Sequence, residues 1–348
     1  MFTIAVITLF FIASAIFSFL DTEKNRTVVI VYVVLSFFLF LISGLKPIGI
    51  DNDSDAYVRY FYNASSDGVE LSFVFIANTL NALFVGPQAL FVIYAALSIP
   101  LKSYSIFKQT DFWFLSMVVW LSRYFVLHDM TQIRVAVASS IFLYSIQYLA
   151  NGEKKKYLFC CCLAAFFHYS AFVLFPLTCM GNKTLNIKWK YFLFILPLMG
   201  YMLSSLHINL FSLIPFPYVQ EKIAVYEKAR DMGFMGMDEI NIFNPMYLIR
   251  LLLYYILLWK YDVIKNETNN LSILLKVFAL SYICYTVFSF IPVVAFRVSE
   301  LYGIVEILLL PYIINVVTPK WVGKLLVILL FSYIYYLTIF ANELLSFA

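Results

Sequence analysis

The run VVIVYVVLSFFLFLISGL, residues 28–45, contains no Asp, Glu, Lys or Arg and is apolar on every face of a helix. About 20 such residues, rising about 1.5 Å each, cross a hydrocarbon core about 30 Å thick. A strand of an outer-membrane barrel would alternate polar and apolar positions, and this run does not. A helix satisfies its own backbone groups, so it can carry such a sequence through lipid.

The pattern repeats on both sides of that run. Residues 2–20 form another apolar stretch. Ala13-Ser14-Ala15 gives it a likeness to a secretory leader, but no basic segment opens it and DTEKNR follows at once at 21–26, so it reads as the first membrane helix. Further apolar helices are expected near residues 71–85, 87–105, 112–128, 130–150, 157–178, 190–206, 244–261, 271–291, 295–316 and 321–341. The chain is 63% hydrophobic and 13% charged, with mean hydropathy +0.87, which excludes a soluble globular domain. The expected fold is all-α: one polytopic membrane domain over residues 1–348, with about ten to twelve spans. Two longer polar segments, 46–70 and 207–243, stand between spans, and no internal repeat is visible. The cysteines Cys160, Cys161, Cys162, Cys179 and Cys284 have apolar neighbours and neither zinc spacing nor a disulfide framework, so they read as packing residues.

Orientation follows from lysine, because cytoplasmic loops retain positive charge. The strongest anchor is EKKK at 153–156. Placing it inside with Lys24, Lys102, Lys108, Lys260, Lys265, Lys320 and Lys324 requires 71–105 to make one net crossing, so one helix there is short or interfacial. Placing Lys183, Lys188 and Lys190 inside as well requires 157–178 to enter and return, with His168 near the turning point. The alternative is an ordinary span with those three lysines outside. Both long segments then face outward, and 14 of the 17 lysines lie at or near the inner surface. Arginine does the reverse. Of seven, only Arg26 is inside; Arg59 and Arg230 are in outer loops, and Arg123, Arg134, Arg250 and Arg297 fall in the outer halves of their helices.

An arginine at the centre of a membrane helix costs about 2.5 to 3.5 kcal/mol on insertion scales, so these four need partners or a wet cavity. Guanidinium grips phosphate oxygens with two prongs, and an outward cavity lined by arginines suits a lipid-linked diphosphate. The bland reading is that each one snorkels or pairs locally, as Arg297 and Glu300 could do three apart on one helix.

The segment GIDNDSDAYVRYFYN, residues 49–63, sets Asp51, Asp53 and Asp55 at alternate positions ahead of Tyr57, Arg59, Tyr60 and Tyr62. It is no calcium loop, because the sixth position is Ala56 and the twelfth Tyr62. A nucleotide-sugar site is excluded by its outward location. Carboxylates beside aromatic rings suit sugars, and one aspartate could act as a general base; a solvated acidic loop is the alternative. In SRYFVLHDMTQIRVAVASS, residues 122–140, Arg123, His128, Asp129, Gln132 and Arg134 crowd an outer turn, and Arg134 lies inside the next helix. The lone His168 in AFFHYSAF is either a general base or a hydrogen-bonded plug. The segment YVQEKIAVYEKARDMGFMGMDE, 218–239, with Gly233 and Gly236, reads as an amphipathic lid or an interfacial helix. The candidate catalytic groups are therefore His168, Arg134 and Asp53. The candidate substrate-binding groups are Arg59, Arg123, Arg250, Arg297, Asp51, Asp55, Tyr57, Gln132 and Glu300, and no metal site is expected.

Four segments, GIDNDSDAYVRYF, QIRVAVASSIFLYSI, LAAFFHYSAFVLFPL and FRVSELYGIVEILLLP, stand in an order and spacing that resemble the EpsG family and the wider class of Wzy-type O-antigen and capsule polymerases. The resemblance covers nearly the whole chain. It implies a glycosyltransferase that moves a growing glycan from undecaprenyl diphosphate to the outer sugar of a new lipid-linked repeat unit. The product would be O-antigen, capsule or exopolysaccharide, made at the outer face of a bacterial inner membrane. The implied partners are undecaprenyl-diphosphate-linked oligosaccharides, the lipid bilayer and a chain-length regulator protein, with no nucleic acid, cofactor or metal. The family pattern carries over to Arg134, His168 and Arg297, and to an aspartate of the first outer loop with Tyr57; three aspartates compete for that place. Two other classes fit in part. A flippase for lipid-linked oligosaccharide would need a cavity open to the inner face, and an acyltransferase acting on surface glycan would need His168 reachable from within.

Overall fold

The computed structural model describes residues 1–21, 25–63, 69–208, 228, 232, 239–342 and 344–345. The expected lid over 218–239, with Arg230, Gly233 and Gly236, lies almost wholly outside the described residues.

The described residues are helical, without a β-strand. In chain order the helices are α1 (Phe2–Phe17), α2 (Arg26–Gly44), α3 (Ser54–Tyr62), α4 (Leu71–Ala82), α5 (Gln88–Gln109) and α6 (Trp113–Val119). They continue as α7 (Ile133–Ala150), α8 (Lys154–Phe167), α9 (Ile187–Ser205), α10 (Pro245–Trp259), α11 (Leu271–Val287), α12 (Pro292–Gly303) and α13 (Lys320–Tyr336). Among the described residues, five stretches are long and apolar enough to cross a membrane: Phe2–Leu20, Arg26–Gly44, Gln88–Gln109, Ile133–Ala150 and Lys320–Ala341. Large apolar side chains such as Leu9, Ile16, Val33, Phe37, Phe194 and Leu329 face outward from the bundle. A water-soluble bundle would hide them, so the chain is a polytopic membrane protein.

Local chemistry sets the helix starts. Asn25 caps α2 by accepting the Val28 amide at 3.0 Å, and Asn186 caps α9 by accepting the Trp189 amide at 2.9 Å. Asn244 does the same for α10, with Pro245 pre-set for the first turn. Helices α2 and α5 touch where Gly44 meets Val92; a Cβ there would lie 3.2 Å from the Val92 Cα. Gln88 locks that end by donating to the Gly44 carbonyl at 2.8 Å.

The segment expected at 157–178 is a hairpin. Helix α8 stops at His168, whose backbone is extended, and a 3-10 stretch, Tyr169–Cys179, leads back. The Tyr157 hydroxyl donates to the Leu174 carbonyl across the two limbs at 2.9 Å. The Asn182 amide donates to the Ala150 carbonyl at 3.2 Å, so both feet stand at the same end of the bundle as Lys154, Lys155 and Lys156. Lys190 pairs there with Asp262. Of the two readings of this segment, the structure has the one that enters and returns. Helix α4 is the short helix expected within 71–105: its 12 residues span about 18 Å, too little to cross a bilayer.

The helix expected at 112–128 is α6 continued as a π-helix, Trp120–Thr131, and that expected at 295–316 runs as α12 to Gly303 and then, past a break, as a short helix Glu306–Leu309 and a 3-10 stretch Leu310–Asn315. Lys102 does not mark the inner surface. It is fully buried and pairs at 2.7 Å with Asp129, which also accepts from Ser98 and the Trp120 indole. An ammonium inside a bundle is stable only when paired, and four donor contacts to one carboxylate supply that pairing.

Candidate functional site

At the end of the bundle away from the lysine-rich feet, three elements meet at one carboxylate. Glu70 precedes α4, Arg134 lies in the first turn of α7, and His168 sits at the tip of the hairpin. Glu70 accepts from an Arg134 guanidinium nitrogen through Oε2 and faces His168 Nδ1 through Oε1 at 2.7 Å. A cation in the first turn of a helix opposes the positive end of the helix dipole, and Glu70 offsets both charges. The rings of Tyr57 and Phe73 flank the Arg134 guanidinium at 5.4 and 5.8 Å. An ionised Glu70 can only accept, so His168 Nδ1 donates to it, and in the neutral imidazole that tautomer leaves the lone pair on Nε2. Neither His168 Nε2 nor Arg134 Nε has a hydrogen-bond partner among the described residues.

Burial works to raise the Glu70 carboxyl, but the His168 hydrogen bond and the Arg134 charge outweigh it and hold the group below its ordinary value. Asp53 behaves oppositely. Burial and the neighbouring Asp51 charge raise it, against the pull of Lys46, Arg134 and Arg297. The charges of Arg134 and Arg297 thus converge on Asp53 from α7 and α12.

The first acidic segment is not three equivalent ligands. Asp51 is buried, pairs with Lys46 at 2.6 Å and accepts the Asp53 and Ser54 amides at 3.0 and 2.9 Å, so it starts α3. Asp55 is exposed beside the turn at Gly49, whose φ of +85° favours glycine. Asp53 is half-buried at the head of α3, and Tyr57 follows one turn later, buried beneath Arg134. Arg59 is exposed in the last turn of α3, and Gln132 stands half-buried at the residue before α7.

Arg123, Arg250 and Glu300 belong to a separate interior network. Arg123 pairs with Glu300 at 2.8 Å and donates to the Tyr247 hydroxyl at 3.2 Å. Arg250 pairs with Glu306 at 2.5 Å and donates to the Tyr124 hydroxyl at 3.1 Å. Tyr247 stacks on Tyr285 with ring centroids 3.6 Å apart and lies beneath both guanidiniums, at 5.2 and 5.0 Å. Gly303 leaves room for this contact; a Cβ there would come within 2.8 Å of the Tyr124 hydroxyl. Glu300 is taken by Arg123, so the local Arg297–Glu300 pair does not form, and Arg297 is exposed on α12.

Of the expected site residues, Glu70 brings Arg134 and His168 together, Tyr57 lies against Arg134, and the Arg134 and Arg297 charges act on Asp53; sequence reasoning did not single out Glu70, Lys46 or Glu306. Glu70 left one signal, a lone acid against the apolar run that becomes α4. Its two partners, 64 and 98 residues away, left none.

No curated protein and no solved structure matches the chain. The model of the EpsG family matches residues 29–348, which include most of α2, the acidic segment, Glu70, Arg134, the His168 hairpin and Arg297. With nearly its whole length matched, the chain belongs to the EpsG family.

Proposed function

We propose that this protein is a polysaccharide polymerase of the bacterial inner membrane. It transfers a growing glycan from undecaprenyl diphosphate to a sugar hydroxyl of the next lipid-linked repeat unit, at the outer face. Membership of the EpsG family supports a polysaccharide-polymerase type of function. The reading is carried by the joint capture of Arg134 and His168 by Glu70, at the end of the bundle opposite the lysine-rich feet. Positive charge retained on the cytoplasmic side sets those feet inside and this cluster outside.

In this reading His168 Nε2 removes the proton of the acceptor hydroxyl while its oxygen attacks the anomeric carbon. The bond from that carbon to the diphosphate oxygen breaks, and the lipid diphosphate leaves with the electron pair. Arg134 and Arg297 stabilise the charge that grows on it. One displacement inverts the anomeric centre. Glu70 fixes the His168 tautomer and holds the imidazolium that forms. Asp53 and Tyr57 bind sugar beside the reacting centre.

His168→Ala and Arg134→Ala protein, inserted normally in membranes, should leave glycan at a single repeat unit when supplied with lipid-linked donor and acceptor. Wild-type chain lengths in either variant would overturn the assignment.

A further inference from the structure

We infer that the open apolar groove between α4 and the end of α8 holds the isoprenoid chain of the lipid-linked donor. The inference rests on the polymerase reading and adds where the carrier lies. The groove encloses about 760 Å³ and is lined by Leu71, Val74, Phe75, Asn78, Thr79 and Phe166, among others.

Its place in the chain argues for this occupant. Leu71 directly follows Glu70, and Phe166 stands two residues before His168. The groove therefore begins where the charged cluster ends. A molecule with an anionic head and a long apolar chain matches both parts at once: the head meets Arg134 and Arg297, and the chain runs along α4. Helix α4 is too short to cross the bilayer, so it leaves an apolar indentation that lipid chains can enter from the side. Leu71, Phe75 and Phe166 are exposed, at 57%, 69% and 42%, so the lining is presented to lipid and not packed away. The polar atoms on this wall are few, and the Thr79 hydroxyl is turned back onto the Phe75 carbonyl at 2.8 Å, leaving an apolar surface.

A second apolar groove, between α2 and α5, encloses about 570 Å³. It lies along Val29 to Phe40 and Ala96 to Phe107, without a charged residue in its lining. It offers no site for a diphosphate and serves as the internal control.

The test uses the full-length protein in vesicles, with undecaprenyl and geranyl diphosphate-linked versions of the same glycan as donors. Ala82→Trp fills the far end of the groove, about 18 Å along α4 from Glu70 and beyond the reach of a two-isoprene chain. KM for the undecaprenyl donor should rise about tenfold, the effect of losing about two buried methylenes. KM and kcat for the geranyl donor should stay unchanged, and Phe37→Trp in the control groove should change neither. Equal loss with both donors, or no change with either, overturns the inference.

A second arm does not depend on turnover. An undecaprenyl diphosphate with a diazirine in its isoprenoid chain should label Leu71–Leu83 or Phe166. Labelling confined to the control groove, or spread over the outer surface, overturns the inference. So does labelling that excess phosphatidylglycerol suppresses as well as unlabelled undecaprenyl diphosphate does, which assigns the groove to bulk lipid. If wild-type protein elongates neither donor, the polymerase reading fails, and the labelling still decides the groove.

Discussion

His168 Nδ1 lies 2.7 Å from Glu70 Oε1, across 98 residues of sequence, and the other oxygen of the same carboxylate holds Arg134. One acid therefore positions both a candidate base and a candidate diphosphate clamp. Glu70→Gln keeps the shape but permits the wrong imidazole tautomer and loosens the guanidinium. kcat should fall about 10²- to 10⁴-fold, the range for losing a positioned acid–base group. A variant within threefold of wild type, roughly the scatter of context-dependent effects, would remove Glu70 from the mechanism.

Arg134→Lys keeps the charge while losing the planar fork that reaches Glu70 and a phosphate together. Elongation by Arg134→Lys should resemble that of Arg134→Ala more than wild type. Full activity in the lysine variant would show that charge alone suffices there.

The two acids of the site carry opposite pH signatures. The Glu70 carboxyl is held below its ordinary value. Its stabilising contribution is therefore present above the unfolded value, about 4.3, and is lost as pH falls through the lower folded value. The loss of Tm in Glu70→Gln should be greatest near neutral pH and shrink in acid; a loss that grows in acid contradicts this. The Asp53 carboxyl is raised, so a rate that needs it ionised falls at a pH above the ordinary aspartate range of about 3.9. That acidic limb should vanish in Asp53→Asn. Its persistence would assign the limb to another group.

Lys102 and Asp129 test the interior separately from the chemistry. Lys102→Met leaves the Asp129 charge buried without its cation, which should cost about 3 to 5 kcal/mol, read from unfolding in detergent. Lys102→Met with Asp129→Leu should recover most of that loss. Additive losses in the double variant would show that the two residues do not act as a pair.

The hairpin predicts sidedness. Cysteines placed at Asn151 and Lys183, at its two feet, should react with an impermeant thiol reagent from the cytoplasmic side. A cysteine at Asn63 should react from outside. Asn151 and Lys183 labelling from opposite faces would mean that 154–179 crosses the membrane once.

The membrane class was legible in the sequence because it depends on local composition: a run such as 28–45 has no stable place in water, whatever it packs against. The expected sidedness likewise rests on residue type and position along the chain, and Lys102, buried against Asp129, departs from it. Whether 157–178 turns back at His168 was not, because both readings satisfy the same apolar pattern; the choice rests on the Tyr157–Leu174 and Asn182–Ala150 contacts. Tertiary structure also sorted the arginines. Arg123 and Arg250 have the same surroundings in sequence as Arg134, yet Glu300 and Glu306 neutralise them inside the bundle. Nor could spacing single out Glu70, because its role depends on α7 and the hairpin tip reaching one point in space. Low dielectric supplies the physical reason: a buried charge takes whichever partner the fold brings within reach, and that partner is seldom near in sequence.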